Sequence, residues 1–184
     1  LLTPFRYPPL ANRSRFSQAA TRELFYAART VATVLAEHAF HALRVLEGSP
    51  LPAGCCIHRQ QTTFSVQLHT ERGLQLQHCL DEQTLAAVVA PCSYAASQAL
   101  GRELREHGIQ AFEVPSARVP QEAPCVGVLT PYAFVSTPFD FQNWTLEVRA
   151  DGVTFASFGQ SQVVSLPRQQ FLVSGRWPGP EPRA

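Results

Sequence analysis

Between Thr30 and Gly48 lies the run that most constrains what this chain can fold into: Val31, Val34, Leu35, His38, Ala42, Val45 and Leu46 recur near helical period. Thr30 offers its hydroxyl as an N-cap and Gly48 stops the run, so the spacing predicts an amphipathic helix that needs a surface to lie against. The flanking segments supply sheet. Leu24 to Ala28 is a short apolar strand candidate. After the Pro50 to Gly54 loop, Phe64, Val66 and Leu68 alternate with polar residues, Thr70 to Gly73 turn the chain, and Leu74 and Leu76 alternate again, which predicts a β-hairpin. Asp81 caps a short helix ending before Pro91, and Tyr94 to His107 is a second clear helix, closed by Gly108. Ile109 to Val114 is a strand that delivers Ser116 at its end. The final third is β-rich, with Val126 to Leu129, Trp144 to Val148 and Val153 to Phe158, the last two joined across Asp151-Gly152. This order of elements predicts an α+β domain, sheets with helices packed at their edges, rather than a doubly wound parallel sheet.

Composition then narrows the function. At 184 residues and 45% hydrophobic content the chain is long enough for one core, and a single domain over residues 1–176 is expected. Residues 1–14, with three prolines and a polar patch from Asn12 to Ser14, read as an extended opening segment; residues 177–184, with three prolines and little to bury, read as a mobile tail. A formal net charge of +1 leaves no electrostatic footprint for duplex DNA or an anionic membrane. All 15 basic residues are arginine, which excludes Schiff-base and P-loop lysine chemistry; with isoleucine only at 57 and 109, it also points to a GC-rich bacterial genome. The five cysteines are odd in number and lack C-x-x-C spacing, so they read as reduced thiols of a cytoplasmic protein. No apolar run approaches the roughly 18 residues a membrane span needs.

Local signals for chemistry are few. In Glu37-His38-x-x-His41 the histidines are three apart with the glutamate ahead of both, unlike the H-E-x-x-H zinc helix, so a metal-dependent hydrolase using His38 and His41 is a weak reading. Ser116 has no G-x-S-x-G turn around it, which argues against a serine hydrolase. Gly101, Gly108, Gly127 and Gly152 are dispersed and form no phosphate loop. Phe25 and Tyr26 are neighbours on opposite strand faces, so one of them belongs to the core. Glu37, at the margin of the apolar stripe, reads either as a solvated acid of the helix face or as a group that reaches a cleft beside the adjoining strand.

Four stretches taken together say more: Ser14-Arg15-Phe16, Phe25-Tyr26-Ala27-Ala28, Leu35-Ala36-Glu37-His38 and Val114-Pro115-Ser116-Ala117-Arg118. In order and rough spacing of their arginine, tyrosine, glutamate and serine, they resemble the RES-domain family. Thr3-Pro4-Phe5-Arg6-Tyr7-Pro8-Pro9, Gln98-Ala99-Leu100-Gly101-Arg102 and Trp144-Thr145-Leu146-Glu147-Val148 are similar to that family too. The resemblance implies an ADP-ribosyltransferase-like fold with a mixed β-sheet core. It also implies the toxin of a bacterial type II toxin-antitoxin system that cleaves the nicotinamide-ribosyl bond of NAD+, with water, phosphate or a protein side chain as acceptor. On that reading NAD+ is the substrate, and neither a cofactor nor a metal is called for. Glu37 stabilises the ribosyl cation, Arg15 grips the diphosphate (with Arg6 or Arg13 as alternatives), and Tyr26 stacks on nicotinamide or ribose. Ser116 hydrogen-bonds the nicotinamide amide or a ribose hydroxyl, and Arg118 is structural or phosphate-directed. The implied partner is a cognate antitoxin, Xre-like with its own DNA-binding domain, with a homo-oligomer of this chain as one arrangement open to the complex; no direct nucleic-acid or membrane contact is expected. RES sequences commonly carry glycine before the motif arginine and a polar or glycine-rich segment after it, where this chain has Ser14 and Ser17-Gln18-Ala19-Ala20. Those departures support a competing reading, a catalytically inactive RES-like binding or regulatory module.

Overall fold

Thr30 and Gly48 bound the long helix as expected. In the computed structural model, which describes residues 1–6, 14–18, 21–50, 52, 54–121, 123–159 and 161–178, the Thr30 hydroxyl accepts the Thr33 N–H at 3.3 Å and the Gly48 N–H closes the last turn. The elements run α1 (Thr3–Arg6), β1 (Phe25–Ala28), α2 (Val31–Glu47), β2 (Ile57–Ser65), β3 (Gly73–Gln75), α3 (Leu76–Cys79), α4 (Glu82–Val88), α5 (Ala95–Glu106), β4 (Ala111–Val114), β5 (Cys125–Val128), β6 (Phe139–Arg149), β7 (Gly152–Ser157) and β8 (Val163–Pro167), with 3-10 turns at Pro131–Ala133 and Arg168–Phe171. The fold is α+β. No helix among the described residues is long and apolar enough to cross a membrane.

Two four-stranded sheets share the work. The first has order β1-β5-β4-β3, antiparallel except for the β4/β3 pair, and the second, β2-β6-β7-β8, is antiparallel throughout. Helix α2 packs Leu35, Ala39, Phe40 and Leu43 against Trp144, Leu146, Val148, Val153 and Phe155 of the second sheet. Helices α3 to α5 cover one face of the first, where Leu76, Val88 and Leu104 meet Phe112, Val114 and Cys125. Its opposite face, with Val126 and Val128, packs on Phe5 and Ala133.

Several expectations change against this frame. The buried stripe of α2 is Thr33, Leu35, Ala36, Ala39, Phe40 and Leu43, while Val31 and Val45 are exposed. A helix wedged between two sheets buries a wider arc than a one-sided stripe, so periodicity placed the helix correctly but turned it on its axis. The predicted hairpin over residues 64–76 does not form. Residues 57–65 pair with β6, and Leu74 lies opposite Phe112 in the parallel pair. Alternation reports which side chains are buried, not which strand is the neighbour, and the Thr70 hydroxyl ties the intervening turn to the Gln110 side chain at 2.8 Å instead. The opening segment is not wholly extended, since Thr3–Arg6 forms one helical turn that buries Phe5. Residues 7–13, the rest of that segment, lie outside the described residues. Strand β8, unpredicted, completes the second sheet. Of the expected tail, Trp177 stacks on Phe40 with centroids 5.0 Å apart, and residues 179–184 lie outside the described residues.

Candidate active site

Helix α2 crosses the start of β5 with its Thr33 and Glu37 flank. One helical turn separates these residues, and the Thr33 hydroxyl meets the Ala123 carbonyl at 2.9 Å while the Glu37 carboxylate meets the Cys125 thiol at 3.5 Å. Glu37 is thereby aimed at the end of the first sheet, where β4 stops and Pro115-Ser116 begins. The Ser116 hydroxyl donates to Glu37 Oε1 at 2.6 Å and accepts the backbone N–H groups of Arg118 and Val119, both at 3.1 Å. Its oxygen is filled and its proton committed. Among the described residues the hydrogen bonds to this carboxylate both end on Oε1, which leaves Oε2 for a ligand.

Arg15 arrives from a different part of the chain. Helix α5 holds the backbone of residues 14–17: Ser97 donates to the Arg15 carbonyl at 2.6 Å, Gln98 to the Ser14 carbonyl at 3.0 Å and Arg105 to the Phe16 carbonyl at 2.8 Å. The approach is so close that a Cβ on Gly101 would stand 2.2 Å from the Phe16 carbonyl oxygen, so only glycine fits there. Thus held, Arg15 donates Nη1 to the carbonyls of Val88 and Ala90 at the end of α4, and its guanidinium lies 4.5 Å from the Tyr94 ring centroid. Its Nη2 is buried and has no partner among the described residues. The bidentate diphosphate grip expected of Arg15 is therefore half occupied by structure, with one donor nitrogen left over.

Tyr94 links that arginine to a second one. Arg118, buried, donates Nη2 to the Tyr94 hydroxyl at 3.3 Å and stacks over Phe40 at 3.4 Å from the ring centroid. Burial is the main force pulling its guanidinium pKa down, with Tyr94 opposing and the nearby Arg15 charge adding to the fall. Two cations sharing a desolvated corner favour an anion.

Tyr26 completes the cluster. Phe25 turns into the core against Phe134, while Tyr26 points to the helix-covered face with Cys125. Burial, then the Glu37 carboxylate, hold its hydroxyl pKa well above the ordinary value of 10.0, so it stays a neutral donor. Part of its side chain remains open to solvent, as does that of His41, one turn beyond Glu37. Desolvation also lowers the His41 pKa, against the opposing pull of Glu37. The Cys125 thiol, fully buried, is pushed up to about 12 by burial and by Glu37, and remains a thiol.

The five residues picked from the sequence, Arg15, Tyr26, Glu37, Ser116 and Arg118, thus converge from five separate segments. Their roles shift in one respect: Ser116 is wholly buried, so the expected contact of its hydroxyl with a substrate gives way to support of Glu37. Sequence reasoning missed Tyr94 and Cys125, and weighed His41 only as a metal ligand, although its i+4 spacing from Glu37 places it on the same helix face. His38 packs by the ring of Phe155 on the second-sheet side and does not join His41, and among the described residues no group of three or more His, Cys, Asp or Glu could hold a metal. A concavity of about 430 Å³ is lined by Gln60, Gln61, Thr62, Asn143, Trp144 and Phe158, none of which is ionisable or belongs to this cluster.

No curated protein matches the chain. A family model does: the RES domain matches residues 1–149, a span that contains every residue of the cluster from Arg15 to Cys125. The chain belongs to the RES-domain family.

Proposed function

We propose that the protein cleaves the nicotinamide-ribosyl bond of NAD+ and serves as the toxin of a bacterial toxin-antitoxin pair. The observation that carries this reading is the Ser116-braced Glu37 carboxylate, with no hydrogen bond to Oε2 among the described residues, a short chain of contacts away from the buried Arg118 guanidinium and the half-buried Arg15. Nicotinamide leaves as a neutral pyridine, so no general acid is needed and one carboxylate suffices where a glycosidase uses two. Glu37 supplies the negative charge that meets the ribosyl cation as the bond breaks. The positive charge of Arg118 and Arg15 favours an anionic diphosphate in the site, and the partly exposed Tyr26 ring offers a stacking surface for nicotinamide or ribose. The acceptor is water, phosphate or a protein side chain. Uncontrolled NAD+ consumption harms the cell that makes the enzyme, so a cognate antitoxin, Xre-like with a DNA-binding domain, is part of the proposal.

The test is free nicotinamide released from NAD+ by the purified chain and by Glu37→Gln. Wild type should release it, and the variant, which keeps volume and loses charge, should be slower by about 100-fold or more while melting at a similar temperature. No release by wild type, or equal release by the variant, overturns the reading. In cells, induction should arrest growth and co-expression of the antitoxin should relieve it.

A further inference from the structure

Far from Glu37, on the other face of the first sheet, the chain leaves aromatic surface open. Segments 64–68 and 134–141 run side by side, with Ser65 opposite Phe139, the Val135 N–H on the Gln67 carbonyl at 3.0 Å, and Leu68 bridged to Phe134. Along this pair Phe64 is 40% exposed, Phe139 43%, Phe141 64% and Val135 57%. The patch is continuous with the core: Phe64 lies between Phe141, at 6.1 Å between centroids, and Phe25, at 6.4 Å. The backbone is shaped to present it. A register shift between Thr63 and Ser65 and a left-handed Asp140, φ 53°, break the regular start of β6 between the two exposed phenylalanines. An Asp in that conformation is uncommon, and bulges of this kind re-aim side chains.

We propose that this patch is the two-fold interface of a homodimer of this chain. From the exposed fractions, the four side chains offer about 400 Å² of apolar surface, within the range of the largest patch on an ordinary monomer. A standard interface uses roughly 800 Å² per partner, somewhat over half of it apolar, so the patch and its polar rim supply about one side of one. Charge favours a second copy as the occupant. Among residues 62–68 and 134–143, Asp140 is the only ionisable one, so two copies meet with little like-charge cost, whereas a strongly basic or acidic partner finds almost no counter-charge. Two apposed Phe141 rings at the centre of the contact provide the aromatic anchors that such interfaces rely on. The inference is independent of the NAD+ reading, since the patch and the Glu37 cluster lie on opposite faces of the first sheet.

Sedimentation velocity of the full chain between about 1 and 100 μM tests it. Wild type should be dimeric over the upper part of this range, and Phe141→Asp, which changes an exposed side chain, should weaken dimerisation by about 100-fold or more while its circular dichroism spectrum stays that of wild type. Val163→Asp, on exposed β8 of the second sheet, should leave the dimer intact and serves as control. A wild-type monomer at 100 μM, a Phe141→Asp dimer as tight as wild type, or loss of the dimer in Val163→Asp each overturns the proposal.

Discussion

Ser116→Ala separates the two things a serine at this place can do. Its hydroxyl is fully buried, gives its proton to Glu37 Oε1 at 2.6 Å and receives two backbone N–H groups at 3.1 Å. Removing it deletes one hydrogen bond to a charged group, worth about 1.5–3 kcal/mol. If that energy is felt fully in the transition state, kcat for nicotinamide release falls by about 10–100-fold, with KM for NAD+ nearly unchanged because the hydroxyl does not touch the substrate. The two N–H groups lose their acceptor as well, at about 1–3 kcal/mol each, so the melting temperature should drop by roughly 5–20 °C for a chain of this size. Initial rates well below the new melting temperature, measured with thermal denaturation of the same sample, give both numbers. Loss of activity by more than about 10⁴-fold in a folded variant would mean that Ser116 attacks the substrate itself. Unchanged kcat would mean that the Glu37 carboxylate needs no brace.

Four further outcomes are expected. Arg15→Lys, which keeps the charge but loses the planar fork that Nη1 anchors on the Val88 and Ala90 carbonyls, should raise KM for NAD+ more than it lowers kcat, and should also lower the melting temperature; a variant identical to wild type in both would remove Arg15 from the site. Cys125→Ala deletes a donor to Glu37 and should lower kcat by about 3–10-fold, whereas Cys125→Ser restores a donor and should recover most of it; equal losses would assign the effect to packing alone. Gly101→Ala drives a Cβ into the Phe16 carbonyl and should weaken NAD+ binding through displacement of Arg15, and unchanged affinity in a folded variant would contradict the docking role of α5. His38 and His41 both have lowered pKa values in the fold, mainly through desolvation, so below about pH 6.5 the unfolded chain binds more protons than the native one and stability falls as pH falls. Melting temperatures from pH 7.5 to 5 should decline, and a flatter decline in His38→Gln checks the assignment.

How much of this was legible depends on what carried each signal. Caps are local chemistry, and Thr30, Asp81 and Gly108 mark element ends where the sequence placed them. The α2 axis was legible and its rotation was not, because burial on two sides depends on sheets whose positions are set by distant pairing. The pair joined across Asp151-Gly152 forms as expected, but the other strand partners were hidden for the same reason: residues 57–65 and 73–75 each find a neighbour tens of residues away. Within the site, the family resemblance picked out Arg15, Tyr26, Glu37, Ser116 and Arg118, five residues that the fold brings near one another. It did not separate surface-facing from buried members, so the division of labour between Glu37 and Ser116 emerged only from hydrogen bonds. Tyr94 and Cys125 carried no local pattern at all, being ordinary core residues until Arg15, Arg118 and Glu37 are brought to them.

The departures near Arg15 acquire a physical meaning from the same contacts. Ser14, standing where glycine is common, donates its hydroxyl to Glu23 Oε1 at 2.8 Å, and Ser17 accepts Arg105 Nη2 at 2.9 Å. The Gln18 N–H bonds the Thr21 hydroxyl at 3.0 Å, closing the next turn. Residues 19 and 20 lie outside the described residues. The Ser14 and Ser17 hydroxyls both bond to the body of the protein rather than to the Arg15 guanidinium. What they do is brace the segment that carries Arg15, in concert with Ser97, Gln98 and Arg105 of α5. A flexible glycine loop closes on its ligand at the cost of ordering itself, whereas a loop already ordered by side chains spends less on binding. The altered segment therefore argues for a preorganised site rather than a dead one. Ser17→Gly, which removes the Arg105 contact and restores flexibility, should raise KM for NAD+ with little change in kcat, while an inactive module would show no turnover for either residue to modify.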